Sequence, residues 1–180
     1  MSGCRSRLRW NNKKQLITAD IPAEVASWLF DPESLTARLI ANCNGRFRVK
    51  LLSVKRCTPT PDEIQALKLR YRSHAIIRQV LLLCDDTPWV YARTVIPMTS
   101  LRGALQGLVK LGTKPLGAVL FADKTMQRSE IEVTLVNHQH PCYSWTGLKA
   151  KRDIWGRRSV FRLNSKPLLV SEFFLPDLFN

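Results

Sequence analysis

Two pairs of apolar runs, each pair separated by only four turn-forming residues, constrain the fold of this 180-residue chain more than any other feature. The links are residues 85–88 (Asp-Asp-Thr-Pro) and residues 164–167 (Asn-Ser-Lys-Pro). Connections this short join antiparallel strands, because a parallel pair needs a crossover of a dozen or more residues. The runs therefore predict two β-hairpins: Ala75–Cys84 with Trp89–Ile96, and Arg158–Leu163 with Leu168–Leu175.

The rest of the pattern predicts two more strands and four helices. Arg46–Lys55 alternates in polarity and Met126–Val136 is a further strand, which brings the count to about six. Thr58–Asp62, with two prolines, and the polar stretch Asn137–Arg152 are predicted to be loops. Helices are predicted at residues 22–30, 32–42, 101–111 and 115–122. This combination indicates an α+β fold with helices on an antiparallel sheet.

Length and composition indicate a single domain. We expect residues 16–180 to form it, preceded by a loose basic arm at residues 1–15. No segment approaches the ~20 consecutive apolar residues of a transmembrane helix, so none is expected. The five cysteines are odd in number and form no C-x-x-C pair, which favours reduced thiols in a cytoplasmic protein over a disulfide framework.

The formal net charge of +14 raises the hypothesis of a basic nucleic-acid-binding protein. Lysine and arginine are nevertheless scattered along the chain, and no aromatic-interleaved RNA-binding pattern or helix-turn-helix is evident. We therefore expect no specific nucleic-acid partner. A basic field would instead speed the encounter with a small anionic metabolite.

Three charged side chains occupy strand positions where alternation calls for apolar residues. Residues i and i+2 of a strand share one face. The rows are Ile76, Arg78, Val80 and Leu82; Leu168, Val170, Glu172 and Phe174; and Trp89, Tyr91, Arg93 and Val95. A buried, unpaired charge costs several kcal/mol, so each of these groups should have a partner.

Two explanations for the first two charges remain open at this point. In the structural explanation, Arg78 and Glu172 pair with one another or their faces are partly wet. In the functional explanation, they serve an apolar pocket between the sheet and the helices. In such a pocket Arg78 would bind a ligand carboxylate, since its planar fork matches a carboxylate in bidentate fashion. Glu172 would donate or accept a proton as a general acid or base.

Two further clusters are interpreted as structural. Residues 138–142 (His-Gln-His-Pro-Cys) have metal-ligand side chains, but the spacing fits no zinc pattern and a fourth ligand is missing, so we expect a loop and no metal site. Residues 155–158 (Trp-Gly-Arg-Arg) are expected to form a turn at the edge of a strand rather than a basic surface patch. Cys84, which ends an apolar row, is expected to be a buried thiol.

Three motif blocks, in order along the chain, resemble the chorismate pyruvate-lyase family. They are Arg78-Gln79-Val80-Leu81-Leu82-Leu83-Cys84-Asp85 with Ala92-Arg93-Thr94-Val95-Ile96-Pro97; Lys110-Leu111-Gly112-Thr113-Lys114-Pro115-Leu116-Gly117; and Trp155-Gly156-Arg157-Arg158-Ser159 with Ser171-Glu172-Phe173-Phe174-Leu175-Pro176. Each block is moderately specific, but together they keep the family order at nearly the family spacing. The resemblance extends over roughly residues 16–178.

The resemblance implies roles for individual residues. The family's carboxylate-binding arginine falls on Arg78, and its carboxyl group near the substrate's ring hydroxyl falls on Glu172. Two main-chain contacts fall on Leu35 and Leu116; a methionine is common in the family where Leu35 stands, and a backbone contact should survive that exchange. A second substrate carboxylate needs its own cation, for which Arg93 is our candidate.

The resemblance further implies an internal ligand cavity covered by helices, and a monomeric lyase without a cofactor. Such a lyase converts chorismate to 4-hydroxybenzoate and pyruvate on the way to ubiquinone. Residues 137–152 are longer than usual for the family and could alter a lid or a surface. A rival interpretation is a non-catalytic domain, because the same fold resembles the small-molecule-sensing domain of certain bacterial transcription regulators. Those proteins carry a winged helix ahead of that domain, which about fifteen loose residues would not supply.

Overall fold

A computed structural model describes residues 7–16, 21–101, 104–149 and 151–180, and it shows a single antiparallel sheet. The strands are β1 (Asn11–Asn12), β2 (Phe47–Cys57), β3 (Ala75–Cys84), β4 (Thr87–Pro97), β5 (Gln127–Arg128), β6 (Glu132–Val136), β7 (Ile154–Leu163) and β8 (Lys166–Phe174). Their spatial order is β1-β6-β7-β8-β4-β3-β2, and β5 pairs with β7. The predicted α+β class with an antiparallel sheet is confirmed.

Five α-helices accompany the sheet in the described residues. They are α1 (Ala23–Leu29), α2 (Leu35–Asn42), α3 (Pro61–Ala66), α4 (Ala104–Val109) and α5 (Leu116–Ala122). Ser34 caps α2, because its hydroxyl accepts a hydrogen bond from the Ala37 N–H at 3.4 Å. None of the helices in the described ranges combines the length and apolarity needed to span a bilayer.

Both predicted hairpins are confirmed, with tighter turns than expected. The strands of each hairpin are joined by two residues, 85–86 and 164–165, so β4 begins at Thr87 and β8 at Lys166. Asp85 and Asn164 adopt the left-handed conformation, with φ of 52° and 47°. Asp and Asn tolerate this conformation better than most residues, which explains their place in the turns.

Both faces of the sheet are covered, and this arrangement decides where a cavity can form. One face carries α1, α2, α4 and α5, which pack on the apolar residues of β3, β4 and β8. The opposite face is covered by residues 7–10, by α3 with Leu67, and by a 3-10 helix at Pro141–Thr146. The central strands are consequently buried from both sides.

The structure differs from several expectations at the level of elements. The predicted strand Met126–Val136 is divided into β5 and β6, and β1 is an additional short strand. Helix α3 begins inside the predicted loop Thr58–Asp62; the Glu63 carboxylate accepts from the Thr60 N–H at 2.8 Å, as in a capping box. Residues 155–158 lie within β7 rather than in a turn, because β7 begins already at Ile154.

The N-terminal residues that the structure describes pack onto the domain. Leu8 is buried, and the Trp10 indole N–H donates to the Asp62 carboxylate at 3.0 Å. Asn11 and Asn12 pair with β6. Of the expected arm, residues 1–6 lie outside the described residues.

The expectation of reduced thiols is wrong for one pair of cysteines. Cys43 and Cys84 form a disulfide across 41 residues, with Cα atoms 5.6 Å apart. Cys43 follows α2 directly and Cys84 ends β3, so the bond ties a helix to the strand beneath it. Cys84 is buried as expected but is oxidised. A separation of 41 residues carries no local signal from which the pairing could be predicted.

Candidate active site

A cavity lies between the sheet and helices α2 and α5. It encloses about 550 Å³ of space between atoms, part of which opens to solvent. The helices contribute mainly apolar walls, and the sheet contributes the charged groups: Leu35, Thr36, Leu116 and Leu120 from above, and Arg78, Glu172, Arg157 and Thr94 from below.

Strand register arranges the cavity floor as two parallel rows. In the first row Arg78 of β3 lies beside Thr94, Thr94 beside Val170, and Val170 beside Ser159. The second row runs in the same way through Val80, Ala92, Glu172 and Arg157. Since i and i+2 share a face, both rows point to the same side. The residues of the two rows therefore form one continuous surface across the four strands.

Arg78 is a buried cation without a carboxylate partner among the described residues. Only 4% of it is exposed. Its Nη2 donates to the carbonyl oxygens of Gly112 at 2.9 Å and Lys114 at 3.1 Å, while its Nε finds no acceptor in the described part of the chain. Burial lowers the pKa of Arg78, although a guanidinium remains protonated. An anion in the cavity would satisfy this group.

Glu172 faces the cavity in an ion pair with Arg157 rather than with Arg78. The Arg157 Nε donates to the Glu172 Oε2 at 2.7 Å. Arg157 is 1% exposed, and its Nη1 also donates to the carbonyl oxygens of Trp28 at 2.9 Å and Asp31 at 2.8 Å. The proposed pairing of Arg78 with Glu172 is therefore wrong. Glu172 is held as a hydrogen-bond acceptor at the cavity.

Leu35 and Leu116 are the first residues of α2 and α5, and both line the cavity. The first N–H groups of a helix have no acceptor within the helix, so these positions suit the main-chain contacts that the resemblance implies. The helix starts approach closely at Gly117, where a Cβ atom would lie 3.2 Å from Thr36 Oγ1 and 3.3 Å from Ser34 Oγ. Glycine at this position therefore allows the start of α5 to pack closely against the start of α2.

The structure does not bring Arg93 to this cavity. Arg93 lies on the opposite face of the sheet, where its Nε and Nη2 donate to the Glu63 carboxylate at 2.6 and 3.1 Å. Its guanidinium also stacks on Trp145, 4.5 Å from the ring centroid. Burial acts to lower the pKa of Arg93, but the Glu63 carboxylate outweighs it and raises that pKa. The part of the predicted loop around Trp145 and Leu148 thus packs on the face opposite the cavity.

The sequence matches the family described as Chorismate lyase over residues 4–180. The chain belongs to the chorismate lyase family. A probable chorismate pyruvate-lyase of Methylococcus capsulatus is 40% identical over 83% of this chain and 93% of its own length. Those of Thiobacillus denitrificans and Pseudomonas aeruginosa are 42% and 38% identical, over 87% and 97% of this chain and 85% and 95% of theirs.

Solved structures resemble the chorismate lyase chain in fold alone. One is the ligand-binding domain of a GntR-family transcriptional regulator from Bordetella bronchiseptica, with a TM-score of 0.55 and 16% identity over 76% of this chain and 88% of that one. The C-terminal domain of the histidine utilization repressor from Pseudomonas syringae has a TM-score of 0.56 and 12% identity, over 73% and 93%. The fold is thus shared with domains of bacterial transcriptional regulators.

Two cavity arginines of this chorismate lyase family member were not predicted from the sequence. Arg157 was assigned to a turn, and its neighbour Arg158 points to the other face, where it contacts Asp62 and Glu132. A signal did exist, because consecutive arginines inside a strand must face opposite sides. Arg128 lies in the two-residue strand β5, which is too short to show any periodicity.

Proposed function

We propose that this chain converts chorismate to 4-hydroxybenzoate and pyruvate. The observation that carries the proposal is a buried arginine with unused hydrogen-bonding capacity beside a cavity carboxylate, within a chain of the chorismate lyase family. Chorismate has a ring carboxylate, a ring hydroxyl para to it, and an enolpyruvyl ether next to that hydroxyl. Arg78 would bind the ring carboxylate and Glu172 the hydroxyl.

The reaction breaks the C–O bond between the ring and the enolpyruvyl oxygen, and the ring carbon that bears the hydroxyl loses its proton. The leaving group departs as an enolate and takes up one proton to become pyruvate, and the ring becomes aromatic, so atoms and charge balance. Aromatisation supplies the driving force. The protein then has to hold the substrate in one reactive geometry, which is worth up to ~7–11 kcal/mol in favourable systems.

The ion pair with Arg157 bears on the role of Glu172. A carboxylate that already accepts from Arg157 Nε is placed to accept a second hydrogen bond from the ring hydroxyl, or to take the ring proton. Protonating the leaving ether oxygen would require Glu172 to carry a proton beside Arg157. We therefore propose that Glu172 acts as an acceptor and that the released enolate is protonated later.

Purified protein mixed with chorismate tests the proposal. We expect equal amounts of 4-hydroxybenzoate and pyruvate, measured by absorbance and by a coupled lactate dehydrogenase assay, at a rate that EDTA leaves unchanged. Salicylate formation, or turnover of isochorismate instead of chorismate, would exclude this function.

A second candidate is a domain that binds a small carboxylate without converting it. The fold similarity to a regulator's ligand-binding domain favours it. The same assay separates the two, since this candidate binds 4-hydroxybenzoate but releases no pyruvate. We further propose a cytoplasmic monomer that binds no specific nucleic-acid sequence, as the resemblance and the scattered basic residues suggest.

A further inference from the structure

The cavity contains a second arginine, half-buried, that no carboxylate of the described residues neutralises. Arg128 lines the cavity and forms no ion pair with any described residue. We propose that Arg128 binds the second carboxylate of a dianionic substrate, the one on the enolpyruvyl group, and so makes the site select dicarboxylates over monocarboxylates. The inference rests on the proposed function and deepens it.

Strand register places Arg128 across the cavity from Arg78. The Arg128 Nε donates to Ser159 Oγ at 3.1 Å, and Ser159 ends the row that Arg78 begins. Three steps between strands separate β3 from β7, which is about 14 Å at the usual strand spacing. Two arginine side chains that reach inward from the ends of such a row can bind two carboxylates of one small molecule.

The Arg128 guanidinium is held in place by neutral groups. In addition to Ser159 Oγ, it donates from Nη1 to the Pro32 carbonyl at 2.8 Å, and it lies 5.2 Å from the centre of the Phe161 ring. Burial, and next to it the charge of Arg157, lower the pKa of Arg128. An orientation fixed by uncharged acceptors leaves the positive charge available to a ligand.

The charges around the cavity match a dianion. Its lining includes three arginines and two carboxylates. Arg157 and Glu172 neutralise one another at 2.7 Å, and Glu33 is exposed at the rim, where water screens its charge. Arg78 and Arg128 therefore remain as the two cations that a ligand with two carboxylates would neutralise.

The other arginines are less suited to this role. Arg157 already uses its Nε and Nη1 on Glu172 and on main-chain carbonyls. Arg93, the candidate from the sequence, is paired with Glu63 on the far side of the sheet. Arg128 has neither restriction. Its contact with the ligand would end when the ether bond breaks, because 4-hydroxybenzoate keeps only the ring carboxylate that Arg78 binds.

A binding comparison tests the proposal without relying on turnover. The probes are 4-hydroxybenzoate, a monoanion, and 3-carboxymethoxy-4-hydroxybenzoate, an unreactive dianion that keeps an ether-linked carboxylate. We expect Arg128→Gln to weaken binding of the dianion by about 10- to 100-fold, the usual range for a lost charged hydrogen bond. Binding of 4-hydroxybenzoate should weaken by less than about threefold. Arg128→Lys should restore part of the dianion affinity, and the KM for chorismate should follow the dianion.

Arg38→Gln is the matched control, because Arg38 holds the same segment through Asp31 and the Ser27 carbonyl but does not line the cavity. It should change neither affinity appreciably. Equal weakening of both ligands by Arg128→Gln would mean that Arg128 only supports the loop at Pro32, and unchanged binding of both would also overturn the proposal. A wild-type chain that releases no 4-hydroxybenzoate would refute the lyase function instead, and the two binding constants would still decide the role of Arg128.

Discussion

The two faces of the sheet differ in whether all of their arginines have carboxylate partners in the protein. On the far face, Arg93 pairs with Glu63, and Arg158 pairs with Asp62 and Glu132. On the cavity face, Arg78 and Arg128 have no carboxylate partner in the described residues. Burial is similar, since Arg78 is 4% and Arg93 7% exposed. The presence of a protein partner, and not burial, therefore distinguishes a structural arginine from one available to a ligand.

The electrostatic consequences follow the same division. The Glu63 carboxylate raises the pKa of Arg93 despite burial, whereas burial lowers the pKa of Arg78 with no carboxylate to offset it. Aromatic rings reinforce the far face, where Trp145 and Trp10 each lie 4.5 Å from an arginine. On the far face, protein carboxylates neutralise Arg93 and Arg158. On the cavity face, Arg78 and Arg128 would be neutralised by a bound anion.

The largest effect is expected from Glu172→Gln. If Glu172 accepts the hydroxyl or ring proton, kcat should fall by roughly 10²- to 10⁴-fold, with a smaller rise in KM. The unfolding free energy should change less than in Glu63→Ala, since Arg157 keeps its carbonyl acceptors. Steady-state kinetics and urea unfolding measure both quantities. Nearly full kcat would assign the proton transfer to the substrate itself and leave the protein as a shaped cavity.

Glu63→Ala tests the far face. Removing one member of a buried ion pair typically costs about 3–5 kcal/mol, and the Glu63 and Arg93 side chains are only 4% and 8% exposed. We expect a loss of that size in urea unfolding, with kcat unchanged at temperatures where the variant is folded. The double variant Glu63→Ala/Arg93→Met should recover much of the stability, because no buried charge is left unpaired. A loss of kcat in the folded single variant would contradict the division between the faces.

Arg78→Gln should weaken ligand binding with little loss of stability, which is the reverse of the result expected for Glu63→Ala. Binding of 4-hydroxybenzoate and of chorismate should weaken by about 10- to 100-fold, because a charged hydrogen bond contributes about 1.5–3 kcal/mol. Stability should change little, since no carboxylate of the described chain loses its partner. Calorimetric titration and urea unfolding measure these two effects. A stability loss as large as that of Glu63→Ala, with product affinity retained, would make Arg78 a structural residue.

The smallest effect is expected from the exposed arginines, which belong to neither face. Arg70 and Arg72 are exposed, as are many other basic residues. Attraction of nucleic acid to such a surface is mainly electrostatic, so any DNA or RNA binding should disappear near physiological salt. Fluorescence anisotropy at increasing salt concentration provides the measurement. A sequence-specific complex that survives at that salt concentration would favour the nucleic-acid-binding hypothesis.

Much of the cavity floor could be predicted from the sequence. Alternation within β3 and β8 placed Arg78 and Glu172 on apolar rows, and the hairpin links correctly indicated antiparallel pairing. The spacing of Thr60 and Glu63 is that of a capping box, although two prolines in the same stretch favour a loop. The family resemblance added Leu35 and Leu116, whose place at the starts of α2 and α5 no periodicity would indicate.

By itself, the sequence determined the α+β class, the hairpins, and which residues of one strand share a face, because these depend on local alternation and on short links. Tertiary structure decided which face holds the cavity, since β4 is apolar on both sides and its alternation cannot distinguish them. It also joined Cys43 to Cys84, gave Glu172 the partner Arg157, and brought Arg128 opposite Arg78. Each of these depends on strand register and on the elements that cover each face, and such contacts between distant segments leave no periodic trace in the chain.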